Sequence, residues 1–176
     1  MAIRGPFFWL VGGLTAAALL PAARETLSPQ ESGASQPVPM TIGPVAPITV
    51  ATSGVTFEAR VDTGAAVTSL HCPPDWVEIV DAEPDPFANI GKPIRLRLEN
   101  RDGKEAWIDT RITDYVEVRS ANGAEHRYRI RLPLSFGDVV KETIVNLKDR
   151  SSMTHRMLLG RDFLAGDFSV DVSAGS

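Results

Sequence analysis

The residues most suited to chemistry in this chain are a carboxylate and the tight turn that follows it. Asp62 ends an alternating apolar run at residues 55–61 and is followed by Thr63 and Gly64. A carboxylate that activates water must sit on a rigid turn within reach of backbone amides; glycine permits such a turn, and threonine adds a hydroxyl. The pattern predicts a strand that delivers Asp62, and residues 66–70 resume the β-branched and apolar pattern of a second strand.

Asp-Thr-Gly alone is a short motif, and its aspartate often only caps backbone amides in a turn. A second motif bears on the choice, because Met-Leu-Leu-Gly-Arg at residues 157–161 predicts a buried strand that ends at a glycine. The pairing of Asp-Thr-Gly-Ala with a later apolar-apolar-Gly-Arg resembles the retropepsin family of aspartic proteases. This resemblance favours a catalytic role for Asp62.

A closer resemblance covers most of the chain from about residue 55 onwards. Residues 59–65, 119–123 and 147–153, leading into 157–161, are similar to the bacterial retropepsin-like family associated with ATP-grasp (RimK-type) peptide ligases. Members of that family are often labelled ATP-dependent zinc proteases. The resemblance implies an all-β fold, a retropepsin-like closed β-barrel with a short C-terminal helix, and Asp62 at the catalytic position.

The same resemblance assigns roles to the residues around Asp62. The second motif would pack beside the catalytic loop, and residues 63 and 64 would hold the carboxylate. Where relatives carry a basic residue and then threonine after the tetrad, this chain has Ala66 and Val67. The predicted catalytic residues and their loop support are Asp62, Thr63, Gly64, Ala65, Leu159, Gly160 and Arg161.

A single Asp-Thr-Gly motif has a consequence for assembly. Asp109 and Thr110 are followed by Arg111, which cannot make the same turn, so Asp62 has no equivalent elsewhere in the chain. Peptide hydrolysis by aspartates needs two carboxylates that share a proton, one acting as the base and the other polarising the carbonyl. We therefore predict an aspartic endopeptidase that acts on a peptide or protein substrate as a homodimer, with Asp62 at the two-fold axis.

The turn near residue 122 is a candidate for a flap over the bound peptide. A cover over a peptide needs a small and flexible tip, which the sequence offers at Ser120, Asn122 and Gly123. An ordinary exposed turn explains the same residues equally well. The segment is therefore a candidate for substrate binding.

Two other functions stay open. The same fold could serve as a non-catalytic module for peptide binding or dimerisation, or the chain could be a zinc-dependent peptidase, as the family label suggests. No paired motif such as Cys-x-x-Cys or His-Glu-x-x-His announces a zinc site, and no Gly-x-x-x-x-Gly-Lys loop is present for ATP phosphates. We therefore predict no cofactor and no metal site. The side chains that could serve as zinc ligands by residue type are His71, Cys72, His126 and His155.

Charge bears on the class of partner. The formal net charge of −4 gives no support for nucleic-acid binding. Arg127, Arg129 and Arg131 nevertheless line one face of a predicted strand, and Arg95 and Arg97 line another. Such rows are typical of a solvated sheet face. They would also suit an acidic partner such as a glutamate-rich peptide.

The apolar pattern predicts that these residues are positioned by β-hairpins. Residues 94–98 alternate before a turn into 107–112, and a second hairpin joins 115–118 to 128–132. The helix candidate is the brief segment after Gly160. The period of two therefore predicts an all-β fold independently of the family resemblance.

The amino terminus predicts the cellular location. A short positive segment precedes the uncharged apolar stretch 7–20, so residues 1–24 are interpreted as a signal peptide or a membrane anchor. Residues 25–46 are rich in Ser, Pro and Gly and are expected to form a flexible linker before a single domain at 47–176. We therefore expect a bacterial protein that is exported to the periplasm or anchored in the inner membrane. The single cysteine, Cys72, excludes an internal disulfide.

Overall fold

The computed structural model describes residues 38–120 and 123–174, and of Ser120 it describes the backbone alone. Within these ranges the chain forms eleven β-strands, one short α-helix and two 3-10 helices. The all-β class and the short helix near the C-terminus, both predicted from the sequence, are confirmed. The predicted signal or anchor at residues 1–24 lies outside the described residues. None of the described helices is long and apolar enough to span a membrane.

The strands and helices have the following bounds. The strands are β1 (Met40–Ile42), β2 (Val45–Val50), β3 (Val55–Val61), β4 (Thr68–His71), β5 (Val77–Ile79), β6 (Pro93–Glu99), β7 (Glu105–Ser120), β8 (Gly123–Phe136), β9 (Val139–Lys148), β10 (Met157–Leu159) and β11 (Phe168–Val170). The α-helix is α1 (Arg161–Leu164), and the 3-10 helices are Pro74–Trp76 and Pro86–Asn89.

Nine of the strands form one sheet in the order β2-β3-β10-β4-β9-β8-β7-β6-β5. β2 also pairs with β8, with Thr49 opposite Ser135, so that β2, β3, β10, β4, β9 and β8 form a closed ring of pairings. β1 and β11 form a separate two-stranded parallel sheet. Within the ring, β10 lies between β3 and β4, parallel to the first and antiparallel to the second. This position brings the second sequence motif beside the Asp62 turn.

The core is built from alternate residues of the ring strands. In β2 and β3 every second side chain is buried, as expected for strands with one face in the core. Phe57 and Phe163 are the largest fully buried side chains, and each contributes about 1.5–3 kcal/mol relative to an exposed position. Phe163 belongs to α1, which has four residues. Burial of its apolar side chains therefore holds this helix in place, because so short a helix has little stability of its own.

The predicted hairpins are present, since β6 pairs with β7 and β7 with β8, both in antiparallel fashion. The first two strands begin earlier in the chain than expected. β1 begins at Met40 and β2 at Val45, within the segment 25–46 that we expected to be a flexible linker. Composition could not reveal β1, because it is ordered by pairing with β11 near the other end of the chain. Residues 25–37 of that segment lie outside the described residues.

Candidate active site

Asp62 lies on the turn after β3 and is fixed by backbone amides. Its own amide donates to the carbonyl of Leu159 at 3.0 Å. Its Oδ1 accepts from the Gly64 amide at 2.9 Å and from the Ala65 amide at 3.3 Å. A Cβ on Gly64 would lie 3.2 Å from Oδ1, so glycine gives the carboxylate room. No described residue donates a hydrogen bond to Oδ2, and this oxygen can therefore accept from water.

Arg161 holds the same turn from the start of α1. Its guanidinium Nη1 donates to the carbonyls of Thr63 and Gly64, at 3.0 and 3.3 Å. Its amide donates to the carbonyl of Ala65 at 2.9 Å. The structure therefore brings Arg161 together with the predicted turn residues. Thr63 is exposed, and within the described ranges its contact to Arg161 is made by the carbonyl rather than by the hydroxyl.

A second carboxylate, Asp162, braces the turn, although sequence reasoning gave it no role. Its Oδ1 accepts from Thr68 Oγ1 at 2.8 Å, and its two oxygens accept from the Thr68 amide at 3.0 and 3.1 Å. Thr68 Oγ1 in turn accepts from the Gly160 amide at 3.1 Å. Thr68 is fully buried, so these bonds tie β4 to the residues that follow β10. The signal that could have revealed the brace is a threonine within an apolar strand, which needs a partner when buried.

Gly160 is required by close packing rather than by an unusual backbone angle. Its φ of −93° and ψ of 179° are extended values that any residue can adopt. A Cβ at this position would lie 2.7 Å from the carbonyl carbon of Val67 and 2.8 Å from the amide nitrogen of Thr68. A side chain would have to push the backbone aside, which a close-packed interior resists. The glycine therefore lets the end of β10 approach the segment that leaves the Asp62 turn.

The Asp62 turn opens onto a cleft of about 1150 Å³. The acidic residues that line the cleft are Asp62 and Glu117. The chain as a whole carries a formal charge of −4, yet positive charge is concentrated at this cleft. The basic residues that line it are Arg60, Arg119, Arg127, Arg129, Lys148 and Arg150.

Three of these cations are crowded together and poorly hydrated. Arg127 and Arg150 are only 9% and 6% exposed. Burial lowers the pKa of Arg127. Burial also lowers the pKa of Arg150, and neighbouring arginines lower it further while Asp62 opposes them. The pKa of Lys148 is lowered by burial and then by Arg127 and Arg150. Because these cations repel one another, an anion that entered the cleft would be stabilised.

The predicted arginine rows are divided between different surfaces. Arg127 and Arg129 of β8 line the cleft, whereas Arg131 of the same strand lines a separate groove. Arg95 and Arg97 of β6 do not line the cleft, and each places its guanidinium over a tryptophan ring. The part of the predicted positive surface that could meet a ligand beside the Asp62 turn is therefore the pair on β8.

The predicted flap is the tip of the β7–β8 hairpin. Residues near the tip on both strands, among them Arg119 and Arg127, line the cleft. Ser120 pairs with Gly123, whose φ of +111° favours glycine. Asn122 lies outside the described residues. The hairpin is therefore adjacent to the cleft, as a cover over a bound peptide must be.

The side chains weighed as zinc ligands make other contacts. His71 Nδ1 accepts from the Arg150 amide at 2.9 Å, and burial lowers the pKa of His71. Burial raises the pKa of the Cys72 thiol to about 12. His126 stacks on Tyr115. Across residues 38–120 and 123–174, no group of three or more His, Cys, Asp or Glu side chains could hold a metal ion.

Comparison with known proteins identifies a family that the chain matches. Residues 44–175 match the model of the family described as RimB-like, retropepsin-like aspartic endopeptidase RimB. A probable alpha-L-glutamate ligase of Shewanella pealeana is 32% identical over 122 residues, which are 66% of this chain and 25% of that protein. The protein of the same name from Parasynechococcus marenigrum is 33% identical over 116 residues, 65% of this chain and 24% of that protein. This chain thus spans about a quarter of the length of these curated relatives.

One solved structure shares the fold. A Legionella pneumophila protein of unknown function matches with a TM-score of 0.61 and 22% sequence identity. The match covers 76% of this chain and 94% of that one. At this level of identity the likeness concerns the fold alone.

Proposed function

Because the chain belongs to the RimB-like family of retropepsin-like aspartic endopeptidases, we propose that it hydrolyses peptide bonds as a homodimer that pairs one Asp62 carboxylate from each subunit. The observation that carries the proposal is the Asp62 turn, in which the Gly64 and Ala65 amides fix Oδ1 while no described residue donates to Oδ2. A carboxylate with one oxygen anchored and the other available is suited to bind and deprotonate water.

The chemistry divides acid and base roles between two equivalent carboxylates. One Asp62 is ionised and removes a proton from water, while the other is protonated and donates a hydrogen bond to the carbonyl oxygen of the peptide. The water oxygen bonds to the carbonyl carbon and forms a tetrahedral intermediate. A carboxyl group then delivers a proton to the amide nitrogen, and the C–N bond breaks. Two like charges this close do not both ionise readily, which keeps the shared proton in place.

The two-stranded sheet of β1 and β11 supports the homodimer. Each of its strands pairs with one neighbour within the described ranges, so each strand has a free edge that can accept a strand from another chain. This sheet is connected closely to the catalytic turn, because Pro44, which follows β1, accepts from the Val61 amide at 2.9 Å. A second copy that paired here through the same surface would form a closed two-fold dimer.

The substrate in this proposal is an acidic peptide. Six basic residues and two acidic residues line the cleft, Asp62 being one of the two acids. The curated relatives are named as probable alpha-L-glutamate ligases, and a glutamate-rich peptide would supply the negative charge that the cleft attracts. Complementary charge of this kind steers association and selects partners, and its effect weakens as salt is added.

The test is cleavage of a glutamate-rich peptide by the full-length protein, followed by mass spectrometry. We expect the native protein to cleave the peptide and Asp62→Asn to be inactive while folded, because asparagine keeps the size but removes the base. Asp109→Asn is the matched control, since Asp109 also precedes a threonine but is exposed and lines a different groove. It should cleave at the native rate. Undiminished hydrolysis by folded Asp62→Asn protein would refute the aspartic mechanism.

The same experiment separates the alternatives. Capture of the peptide without cleavage, by both the native protein and the Asp62→Asn variant, would favour a peptide-binding module of the same fold. Activity that a chelator abolishes and zinc alone restores would favour a zinc-dependent peptidase.

A further inference from the structure

A carboxylate from the hairpin, Glu125, already lies against the cations of the cleft. Its Oε1 is 2.9 Å from Lys148 Nζ and also contacts Arg127 Nη2. Glu125 and Arg127 are two residues apart on β8 and therefore share a face of that strand. Lys148 belongs to the neighbouring strand β9. One acidic side chain thus bridges two of the basic residues that line the cleft.

The two cations are enclosed, whereas the acid is exposed. The side chains of Arg127 and Lys148 are 9% and 15% exposed, and that of Glu125 is 43% exposed. A buried cation cannot recover its hydration when its partner leaves, but a half-exposed carboxylate can turn to solvent. When the carboxylate of a bound ligand displaces the Glu125 side chain, the two cations therefore keep a negative partner, and the Glu125 carboxylate loses little free energy because it is hydrated by solvent.

Arg127 has binding capacity that its present contacts do not use. Its Nε is buried and has no hydrogen-bond partner within the described part of the chain. The contact to Glu125 is made through Nη2. A guanidinium binds a carboxylate best through two parallel N–H groups. A carboxylate that is not tethered two residues away on the same strand could engage Nε and Nη2 together.

We propose that Glu125 is a displaceable internal carboxylate that occupies, beside Arg127 and Lys148, the place of an acidic side chain of the substrate. The inference rests on the proposed function, since it requires an acidic peptide in the cleft. Binding is then an exchange in which the substrate carboxylate replaces Glu125 on the two cations. Glu125 thereby reduces the affinity for acidic peptides.

The test measures peptide binding to full-length protein that carries Asp62→Asn, so that no peptide is hydrolysed. The probes are a fluorescent oligo-glutamate peptide and the same peptide with glutamine throughout, followed by fluorescence anisotropy. Adding Glu125→Gln should tighten binding of the glutamate peptide about fivefold, the ratio that corresponds to about 1 kcal/mol for one ion pair. Binding of the glutamine peptide should not change, because it brings no carboxylate to exchange.

Glu117→Gln is the matched control. Glu117 lines the same cleft, but it pairs with the exposed Arg119 rather than with the two enclosed cations. The control removes the same charge from the same hairpin, so it should change binding of the glutamate peptide much less than Glu125→Gln does. An equal gain from both variants would overturn the inference, because the effect would then be one of net charge.

Two other outcomes are decisive. Equal or weaker binding of the glutamate peptide by the Glu125→Gln protein, with an unchanged unfolding midpoint, would overturn the inference and leave Glu125 as a neutralising partner of two cations. If the Glu125→Gln substitution disturbs the hairpin, the Glu125→Ala protein must show the same increase in affinity for the glutamate peptide. Failure of the parent Asp62→Asn protein to bind the glutamate peptide would instead contradict the acidic substrate itself, and the inference would fall with it.

Discussion

Replacement of Thr68 by valine should lower both the stability of the domain and the rate of peptide hydrolysis. The Thr68 hydroxyl donates to Asp162 Oδ1 at 2.8 Å and accepts from the Gly160 amide at 3.1 Å. Valine has nearly the same shape, so the change removes these two hydrogen bonds without opening a cavity. At about 1 kcal/mol for each bond, the free energy of unfolding should fall by about 2 kcal/mol. The melting temperature should then fall by about 4–8 °C.

The rate should fall because this brace positions the Asp62 turn. A displacement of about 1 Å at a reacting group can cost about 100-fold in rate. Loss of the hydroxyl should allow a smaller displacement, since Arg161 still holds the carbonyls of the turn. We therefore expect kcat to fall about tenfold with little change in KM. The assay is cleavage of the glutamate-rich peptide well below the melting temperature of both proteins, so that both are fully folded.

Two matched variants separate positioning from stability. Thr143 is also buried, and its hydroxyl donates to the Lys141 carbonyl at 3.0 Å, but it does not line the cleft. Thr143→Val should therefore lower the melting temperature and leave kcat unchanged. Thr68→Ser keeps the hydroxyl and should retain most of the activity. A Thr68→Val protein that hydrolyses the peptide with the native kcat would refute the view that the brace positions Asp62.

Two further predictions concern assembly and pH. Specific activity of the full-length protein should fall on dilution into the range where sedimentation detects monomers, because a lone Asp62 cannot act as both acid and base; constant activity in that range would contradict a shared site. Burial, with Arg156 second, lowers the pKa of His71 from 6.5. The folded protein therefore binds fewer protons at His71 than the unfolded chain. The contribution of neutral His71 to the free energy of unfolding should be complete above about pH 6.5 and be lost as the pH falls through the folded pKa. His71→Asn keeps an acceptor for the Arg150 amide but does not titrate, so it should flatten the pH dependence of urea unfolding; parallel curves for the two proteins would assign the acid sensitivity to other groups.

The alternating apolar pattern was sufficient to predict the hairpins but not their neighbours in the sheet. In β6, Ile94, Leu96 and Leu98 alternate in the sequence and are buried in the structure, because a turn and a local partner are enough to form a hairpin. The place of β10 could not be predicted. Its pairing of Leu159 with Val61 joins distant parts of the chain, and a three-residue apolar strand fits several partners.

The sequence was sufficient to predict a site residue whose role depends on its residue type and its own motif. It was not sufficient to predict residues whose roles depend on how distant strands pack together. The proposed catalytic residue, Asp62, is recognisable from its own motif. Asp162 and Thr68 become partners only once β10 lies between β3 and β4. The predicted row of arginines divides at Arg131, which lines a separate groove, and the pairing of β7 with β8 is irregular nearby, between Ile112 and Asp114. Irregularities of this kind bend and twist a hairpin, so residues on one face of a strand meet different surfaces on either side.

The four-residue strand β4 joins the two halves of the proposed site. At its start, Thr68 holds the Asp62 turn through its hydrogen bonds to Asp162 and Gly160, which follow β10. At its end, His71 accepts from the Arg150 amide and lies opposite Lys148 in the parallel pairing with β9. In the proposed mechanism, this one short strand therefore sets the separation between the Asp62 carboxylate and the cations that would bind the peptide. Substitutions at its two ends perturb different parts of the site. A change in Thr68 should act on the rate of hydrolysis, whereas a change in His71 should act on Arg150 and Lys148 and on the pH dependence of stability.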